Sequence, residues 1–557
     1  MSIFFITLLL GGTALLSWPL GKAMTWAMSP PQQEKGFRFR IEKVLHRFGG
    51  EMIVMEQSWQ QYVLSLLLFN VVMFTVVFAV LALQQLLPLN PDGRGAIEPS
   101  LIFHTVASFT TNTNLQHYAG EVTMSYFSQL FGLMWLQFVS AATGIAALAA
   151  LARGLSGRTG LGNFYNDLLR STLLVLLPLA TAGATILVLG GLVMTLDGAA
   201  VATTLEGASQ TIARGPVAAF VAIKQLGTNG GGFFGVNSAH PFENPTFLTN
   251  IVESMFIILV PMASVWMFGR LTGRLRHAAV VFLVMGALLT VKVGFANYLE
   301  SAPTAAFNGL PVAAAANLEG KELRFGTAAG PTWGVLTTAT SNGSVNCMHD
   351  SLNPLTGLVA LIGMWFNVTF GGVGVGMINM FLYIIVGVFI SGMMVGRTPE
   401  YLGRKVETRE MKFALLAILV HPLLILGGSA LFAATSWGAA TVLNPGFHGF
   451  SEILYEFSSA AANNGSGFEG LGDNTAAWNV ATGIVMLLGR FLPIILPLAI
   501  AGSLAAKKPA PATAGTLRTD TPLFGIVILG SVVFIGALLF LPVAVLGPIA
   551  EHLASGG

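Results

Sequence analysis

Ten stretches of this chain run for about 20 residues almost without charge, which is the length and character needed to cross the hydrocarbon core of a bilayer. Eight are clean, near 3–21, 62–88, 124–152, 171–196, 254–269, 356–396, 413–437 and 522–548; the one at 254–269 is extended upstream by apolar residues and Glu253. Two more, near 277–299 and 477–505, are interrupted only by Lys292 and Arg490. The first stretch lacks a basic region ahead of it, and Lys22 follows it, so it reads as a retained span and not a cleaved leader. Only 9% of the 557 residues are charged, against roughly a quarter in a soluble protein. A soluble enzyme, a nucleic-acid binder and a disordered scaffold are all poor fits. A net charge of +2 offers no attraction for a polyanion, and the single Cys347 excludes an internal disulfide.

Orientation follows from the bias of Lys and Arg towards cytoplasmic connections. The connections at 22–61, 153–170, 270–276, 397–412 and 506–520 carry 6, 3, 3, 5 and 3 basic residues, 20 of the 27. The alternate ones at 89–123, 197–246, 300–353 and 438–476 carry 1, 2, 2 and 0. The first set is expected in the cytoplasm, with both termini outside. The outer connections hold most of the acidic residues, among them Glu243, Asp350, Glu456 and Asp473, a distribution that concentrates cations.

The four outer connections share a pattern. Each has a short semi-apolar segment, at 99–110, 215–227, 330–340 and 450–462, running into a cluster of small polar residues. Aligned on asparagine the clusters read TNTNLQ at 111–116, TNGGGF at 228–233, SNGSVN at 341–346 and NNGSGF at 463–468. Asn112, Asn229, Asn342 and Asn464 then recur at intervals of 117, 113 and 122 residues, which implies four copies of one unit: span, re-entrant half-helix, span. Each half-helix aims its partially negative C-terminal end at its cluster. Irregular backbone survives at membrane depth only where it is buried in protein or lines a watery cavity, and rings of carbonyls can replace an ion's hydration shell.

With these clusters and the string GRTPEYLGRKVE at 396–407, the chain resembles the potassium-translocating, channel-like A subunit of the bacterial Kdp potassium-transporting ATPases, in the superfamily that also holds Trk, Ktr and the plant HKT proteins. The resemblance runs from the first span to the last. It implies an all-α polytopic membrane protein of ten transmembrane helices, with four pseudo-symmetric repeats around a central pore and one extra helix at each end. The expected units are an N-terminal helix at 1–28, repeats at 29–152, 153–272, 273–396 and 397–505, and a C-terminal helix and tail at 506–557. It also implies an inner-membrane protein that selects K⁺ from the periplasm. The implied partners are a P-type ATPase subunit, a single-span periplasm-facing subunit and a small single-span peptide, with membrane lipid around them and no nucleic acid.

Carried over by position, the resemblance places the K⁺ filter at Thr111, Asn112, Thr113 and Asn114; Thr228, Asn229, Gly230, Gly231 and Gly232; Ser341, Asn342, Gly343 and Ser344; and Asn463, Asn464, Gly465, Ser466 and Gly467. Thr113 departs from the glycine of the other three copies. Gln116 and Phe233 follow their clusters and are expected at the filter's periphery, with ordinary packing an equal reading for Phe233. The stretch from Thr356 to Gly396 is too long for one straight crossing, and FGGVGVG at 370–376 should break it. The break resembles the gating loop of the superfamily and marks Gly371, Gly372, Gly374 and Gly376; close helix packing through small residues is the competing reading. Arg490 is expected below the filter as a fixed positive charge that obstructs straight passage, the alternative being a structural ion pair or a snorkelling side chain. The role of Lys292 stays open.

No ATP is expected on this chain and it should carry no catalytic site: GTNGGGFFG at 227–235 lacks the Lys-Ser/Thr of a phosphate loop, and the DKTG string of P-type pumps is absent. Cys347, His349 and Asp350 are neighbours in a loop and do not by themselves make a zinc ligand set. Two rival functions remain: a Trk/Ktr-like K⁺ uniporter or symporter conducting straight through, and, more distantly, a membrane-embedded lipid transferase. The transferase should show an acid/base cluster at one interface, which the repeated elements lack.

Overall fold

In lipid a backbone must satisfy its own N–H and C=O groups, so each charge-poor stretch closes its hydrogen bonds as a helix. The computed structural model describes residues 2–30, 50–304, 316–509 and 517–555, with Arg40, Lys43, Arg47 and Pro311 between them. Most of 31–49, within the basic connection 22–61, therefore lies outside the described residues. Ten described helices are long and apolar enough to cross a membrane.

The first helix, α1 (Ser2–Met28), continues past Lys22. Repeat one comprises α2 (Trp59–Ala82), the half-helix α3 (Pro99–Thr110) and α4 (Ser128–Leu155). Repeat two comprises α5 (Phe164–Leu189), α6 (Val217–Leu226) and α7 (Phe247–Leu271), the last longer than its charge-free core. Repeat three comprises α8 (Leu275–Glu300), α9 (Ala329–Ala339) and two pieces, α10 (Pro354–Phe366) and α11 (Val375–Met394). Repeat four comprises α12 (Thr408–Ala433), α13 (Phe447–Ala462) and α14 (Ala476–Ala505), and α15 (Pro522–Ala554) ends the bundle.

The two spans of each repeat play different parts. In the most apolar window of α4, α7, α11 and α14, 83, 67, 78 and 67% of residues are buried; in α2, α5, α8 and α12 only 22, 28, 39 and 33% are. The second helix of every repeat thus lines the interior, and the first faces the bilayer. In α4 the run SAATGIAALAALA explains this, because small side chains let neighbouring backbones approach closely. The extra helices pack outside, α1 against α7 and α15 against α8, α10 and α11.

The architecture is all-α with little sheet. Among the described residues two short antiparallel hairpins accompany the helices, β1 (Ala200–Thr203) with β2 (Ser209–Ile212), and β3 (Glu400–Tyr401) with β4 (Arg404–Lys405). The second lies within GRTPEYLGRKVE and is tied inward. Arg404 Nη1 donates to the carbonyls of Leu504 at 2.7 Å and Ala505 at 3.3 Å, capping the C-terminus of α14, while the buried Tyr401 hydroxyl meets His277 Nε2 at 2.9 Å.

Candidate functional site

The half-helices α3, α6, α9 and α13 end at the four polar clusters, and their ends set a register that differs from the asparagine alignment. In each cluster one backbone N–H reaches the carbonyl five residues back: Thr113 to Ser108 at 2.9 Å, Asn229 to Lys224 at 2.9 Å, Asn342 to Thr337 at 3.0 Å and Asn464 to Ser459 at 2.9 Å. Left-handed backbone flanks this residue on both sides: Asn112 (φ 64°) and Asn114 (54°), Thr228 (47°) and Gly230 (79°), Ser341 (48°) and Gly343 (90°), Asn463 (53°) and Gly465 (106°). Thr113, not Asn112, is therefore the counterpart of Asn229, Asn342 and Asn464. The first repeat lacks a glycine because asparagine, which tolerates the left-handed region, fills both positions there. Thr113 needs no glycine.

These four residues form a ring. A Cβ added to Gly230 would collide with the carbonyl oxygen of Asn342, one on Gly343 with that of Asn464, and one on Gly465 with that of Thr113. Each glycine thus admits the carbonyl of the next repeat, in the order two, three, four, one. Among the described residues no hydrogen bond reaches the backbone carbonyl oxygens of Thr113, Asn229, Asn342 or Asn464. Their side chains are largely committed to bracing. Asn342 Nδ2 donates to Lys224 O at 3.3 Å and Asn464 Nδ2 to Thr337 O at 2.8 Å, each gripping the half-helix of the preceding repeat, while Thr113 Oγ1 accepts from Asn463 Nδ2 at 3.0 Å. The hydroxyls of the clusters are engaged as well: Thr111 with Thr113 (2.7 Å), Ser344 with Gln225 (2.9 Å) and Ser466 with Tyr455 (2.8 Å). What remains is a set of neutral carbonyl oxygens without donors, costly to bury alone and suited to a dehydrated monovalent cation.

Not every expected filter carbonyl is free. Asn112 Nδ2 donates to Thr228 O at 2.7 Å, Asn237 Nδ2 to Gly230 O at 2.6 Å, and Gln116 Nε2 to Gly232 O at 3.0 Å. Gly231 is hemmed in by the Asn114 Cβ at 2.8 Å, whereas at Gly467 nothing lies closer to an added Cβ than 3.5 Å, so that position does not demand glycine. Phe233 is buried among Tyr126, Phe220 and Phe234, a packing role.

Below the ring a cavity is lined by Asn112, Ser341 and Asn463 above, Arg490 at one side, and Asn367, Gly371 and Gly372. Its wall also includes Tyr383 of α11, His421 of α12, and Leu539 and Phe540 of α15. The expected break is present but spans 367–374: Asn367 (φ 47°) ends α10, and Gly376 already belongs to α11, where a Cβ would strike the Phe370 carbonyl. Gly371 N donates to Ala339 O at 3.1 Å and Val373 N to Thr228 Oγ1 at 3.1 Å, stitching the break beneath the polar clusters. Gly374 (φ 76°) is required because an added Cβ would meet the Gly144 carbonyl of α4. Arg490 is 6% exposed and donates to Ser140 O at 3.1 Å. Among the described residues it has no carboxylate partner.

The sequence profile described as "Potassium-transporting ATPase A subunit" matches residues 7–553. The chain belongs to that family. It is 48% identical over 545 residues to the potassium-transporting ATPase potassium-binding subunit of Caldanaerobacter subterraneus subsp. tengcongensis, covering 97% of each chain. To the protein of the same name from Rhodospirillum centenum it is 50% identical over 518 residues, 92% of this chain and 90% of the relative. Among solved structures it is similar to the potassium transporter TrkH from Vibrio parahaemolyticus, with a TM-score of 0.52 at 13% identity over 88% of this chain and 97% of that one, a likeness of fold.

Two groups in this A-subunit family member were not singled out from the sequence. Lys224, fully buried in α6, donates to Asn237 Oδ1 at 2.6 Å and Ser238 Oγ at 2.7 Å and pairs with Glu243. Since Asn237 in turn holds Gly230 O, this buried charge braces the second cluster. A lysine inside the apolar VAAFVAIKQL run was the available signal. His117, just past Gln116, places Nε2 3.1 Å from Glu456 and 3.7 Å from Asp473, with Nδ1 2.7 Å from Asn479 Oδ1, tying the first repeat's mouth to the fourth.

Proposed function

We propose that this chain is the K⁺-binding and K⁺-translocating subunit of an ATP-driven uptake pump. K⁺ is the cargo, taken from the periplasmic side through the ring of Thr113, Asn229, Asn342 and Asn464 carbonyls. Hydrolysis of ATP belongs to a P-type partner subunit, and a single-span periplasm-facing subunit and a small single-span peptide complete the assembly in the bacterial inner membrane. Both termini face the periplasm in this reading, as the distribution of Lys and Arg requires for ten crossings.

The observation that carries the proposal is the pairing of this carbonyl ring, without donors among the described residues, with a cavity beneath it whose wall joins Arg490 to His421, Leu539 and Phe540. Neutral dipoles hold a monovalent cation without the charge that would trap it. Below, the unpaired Arg490 and the break around Gly371 and Gly372 oppose a straight exit, so the ion is passed laterally towards the α12 and α15 side. The selection is by the ring; the direction of travel is set by the obstruction. The TrkH-like fold makes straight-through conduction the second reading.

Uptake of radiolabelled Rb⁺ into vesicles decides between them, measured with and without ATP, with and without co-expressed partners, and with Gly232→Asp. Uptake that requires ATP and partners, and whose ion affinity or selectivity changes in the variant, is the expected result. Partner-independent uptake would favour the uniporter, and no cation dependence at all would sink both.

A further inference from the structure

We propose that Lys292 is a positioning residue that clasps the break of the third repeat in its blocking shape, holding Thr369 from the side away from the ion cavity. The inference rests on the reading of the chain as the K⁺ subunit and concerns how tightly that subunit is sealed against leak.

Lys292 lies on α8, eight residues from its outer end, which at 1.5 Å per residue is about 12 Å into the span. It is 8% exposed, and Nζ donates to Thr369 Oγ1 at 3.0 Å. An ammonium has three donors, and a lone hydroxyl is a meagre partner for one buried at this depth. Among the described residues no carboxylate lies within ion-pair distance of it. A methionine or leucine would pack here with far less desolvation, so stability alone does not account for the lysine.

Thr369 is fully buried in the middle of the 367–374 break and, like Lys292, is absent from the cavity wall, whereas Asn367, Gly371 and Gly372 face the cavity. The break is therefore held on two sides. Towards the filter it is anchored by Gly371 to Ala339 O and Val373 to Thr228 Oγ1. Towards α8 it has the Lys292 hydrogen bond and the contact of Phe370 with Phe282, ring centroids 5.2 Å apart. The aromatic contact supplies packing without direction, while the hydrogen bond fixes where the middle of the break sits. Lys292 thus holds the back of the break while Arg490 stands in the cavity before it.

The test uses the complete pump, purified with its partner subunits and reconstituted in vesicles, with ATP-free Rb⁺ flux and K⁺-stimulated ATP hydrolysis read on the same preparation. A hydrogen bond to a charged group supports an expectation that Lys292→Met raises ATP-free flux about tenfold while the K⁺ concentration for half-maximal hydrolysis moves by less than about twofold. Lys292→Arg should restore tightness. Thr369→Val should leak like Lys292→Met, and the double variant no more than either, since they remove one shared interaction. A Lys292→Met pump that assembles and stays as tight as the parent would overturn the proposal, as would singles whose effects multiply in the double. If Lys292→Met fails to assemble, Thr369→Val alone decides: a tight pump refutes the clasp. A parental pump whose hydrolysis ignores K⁺ would instead remove the underlying reading, and the clasp with it.

Discussion

Gln116 of the first repeat holds both backbone polar groups of Gly232 in the second: Gln116 Nε2 donates to Gly232 O at 3.0 Å, and Gly232 N donates to Gln116 Oε1 at 2.7 Å. The side-chain amide acts as a strand of one residue, fixing the outer end of the TNGGGF cluster against its neighbour. An alanine at 116 removes two hydrogen bonds, each worth about 1 kcal/mol net. The expected outcome is a roughly tenfold weaker apparent K⁺ affinity with little loss of maximal rate, read from K⁺-stimulated ATP hydrolysis.

The register of the first cluster makes opposite predictions for adjacent residues. Asn114 occupies the left-handed position that is glycine in the other repeats, while Thr113 does not. Asn114→Gly should keep K⁺ affinity and thermal stability close to the parent. Asn114→Val should lose stability, because a left-handed conformation costs an L-residue about 1–2 kcal/mol. Thr113→Gly should weaken binding, since it releases the hydrogen bond from Asn463 and gives no conformational relief. Improvement on Thr113→Gly would show that the asparagine alignment is the right register.

At the outer mouth, burial discourages charge on His117, but the carboxylates of Asp473 and Glu456 outweigh it and hold the imidazolium up to a pKa of about 9. A histidine raised in the folded state contributes stability that is whole below its unfolded value near 6.5 and is lost as pH climbs through about 9. Thermal stability of the parent should fall across that window, and His117→Gln should flatten the fall. Parallel curves for the two proteins would count against the assignment.

Arg490 predicts a different phenotype from the ring residues. It stands in the cavity and touches only the Ser140 carbonyl among the described hydrogen-bond acceptors. Replacing it with glutamine should leave K⁺ affinity near the parental value but raise ATP-free Rb⁺ flux, because the obstruction and not the ring has been altered. A local charge removed from a low-dielectric path makes a change of tenfold or more a rough expectation. Unchanged flux and unchanged coupling of hydrolysis to uptake would remove Arg490 from the barrier.

Much of the architecture was legible because membrane solvent imposes one-dimensional rules. Span length follows from bilayer thickness, and the excess length of 356–396 already required a break. The half-helices were readable for the same reason: Pro99–Thr110 is too short to cross and runs into residues that favour caps and turns over helix. The register of the four clusters was less legible. Letter identity aligned Asn112 with Asn229, but the backbone aligns Thr113 with it, because conformation is set by where each half-helix ends and by which residue tolerates a positive φ. The break likewise begins at Asn367, before the glycines that marked it, since the left-handed turn falls on asparagine.

By itself the sequence determined that this chain lives in a membrane, that it crosses about ten times, and that one unit recurs four times around polar clusters. Those properties depend on local composition and spacing. Only the tertiary structure decided which carbonyls are left without donors, that Gln116 clamps Gly232, and that Lys292 reaches Thr369 across 77 positions. Each depends on residues far apart in the chain meeting at hydrogen-bond distance, and such distances are set by how helices pack, not by the order of residues along any one of them.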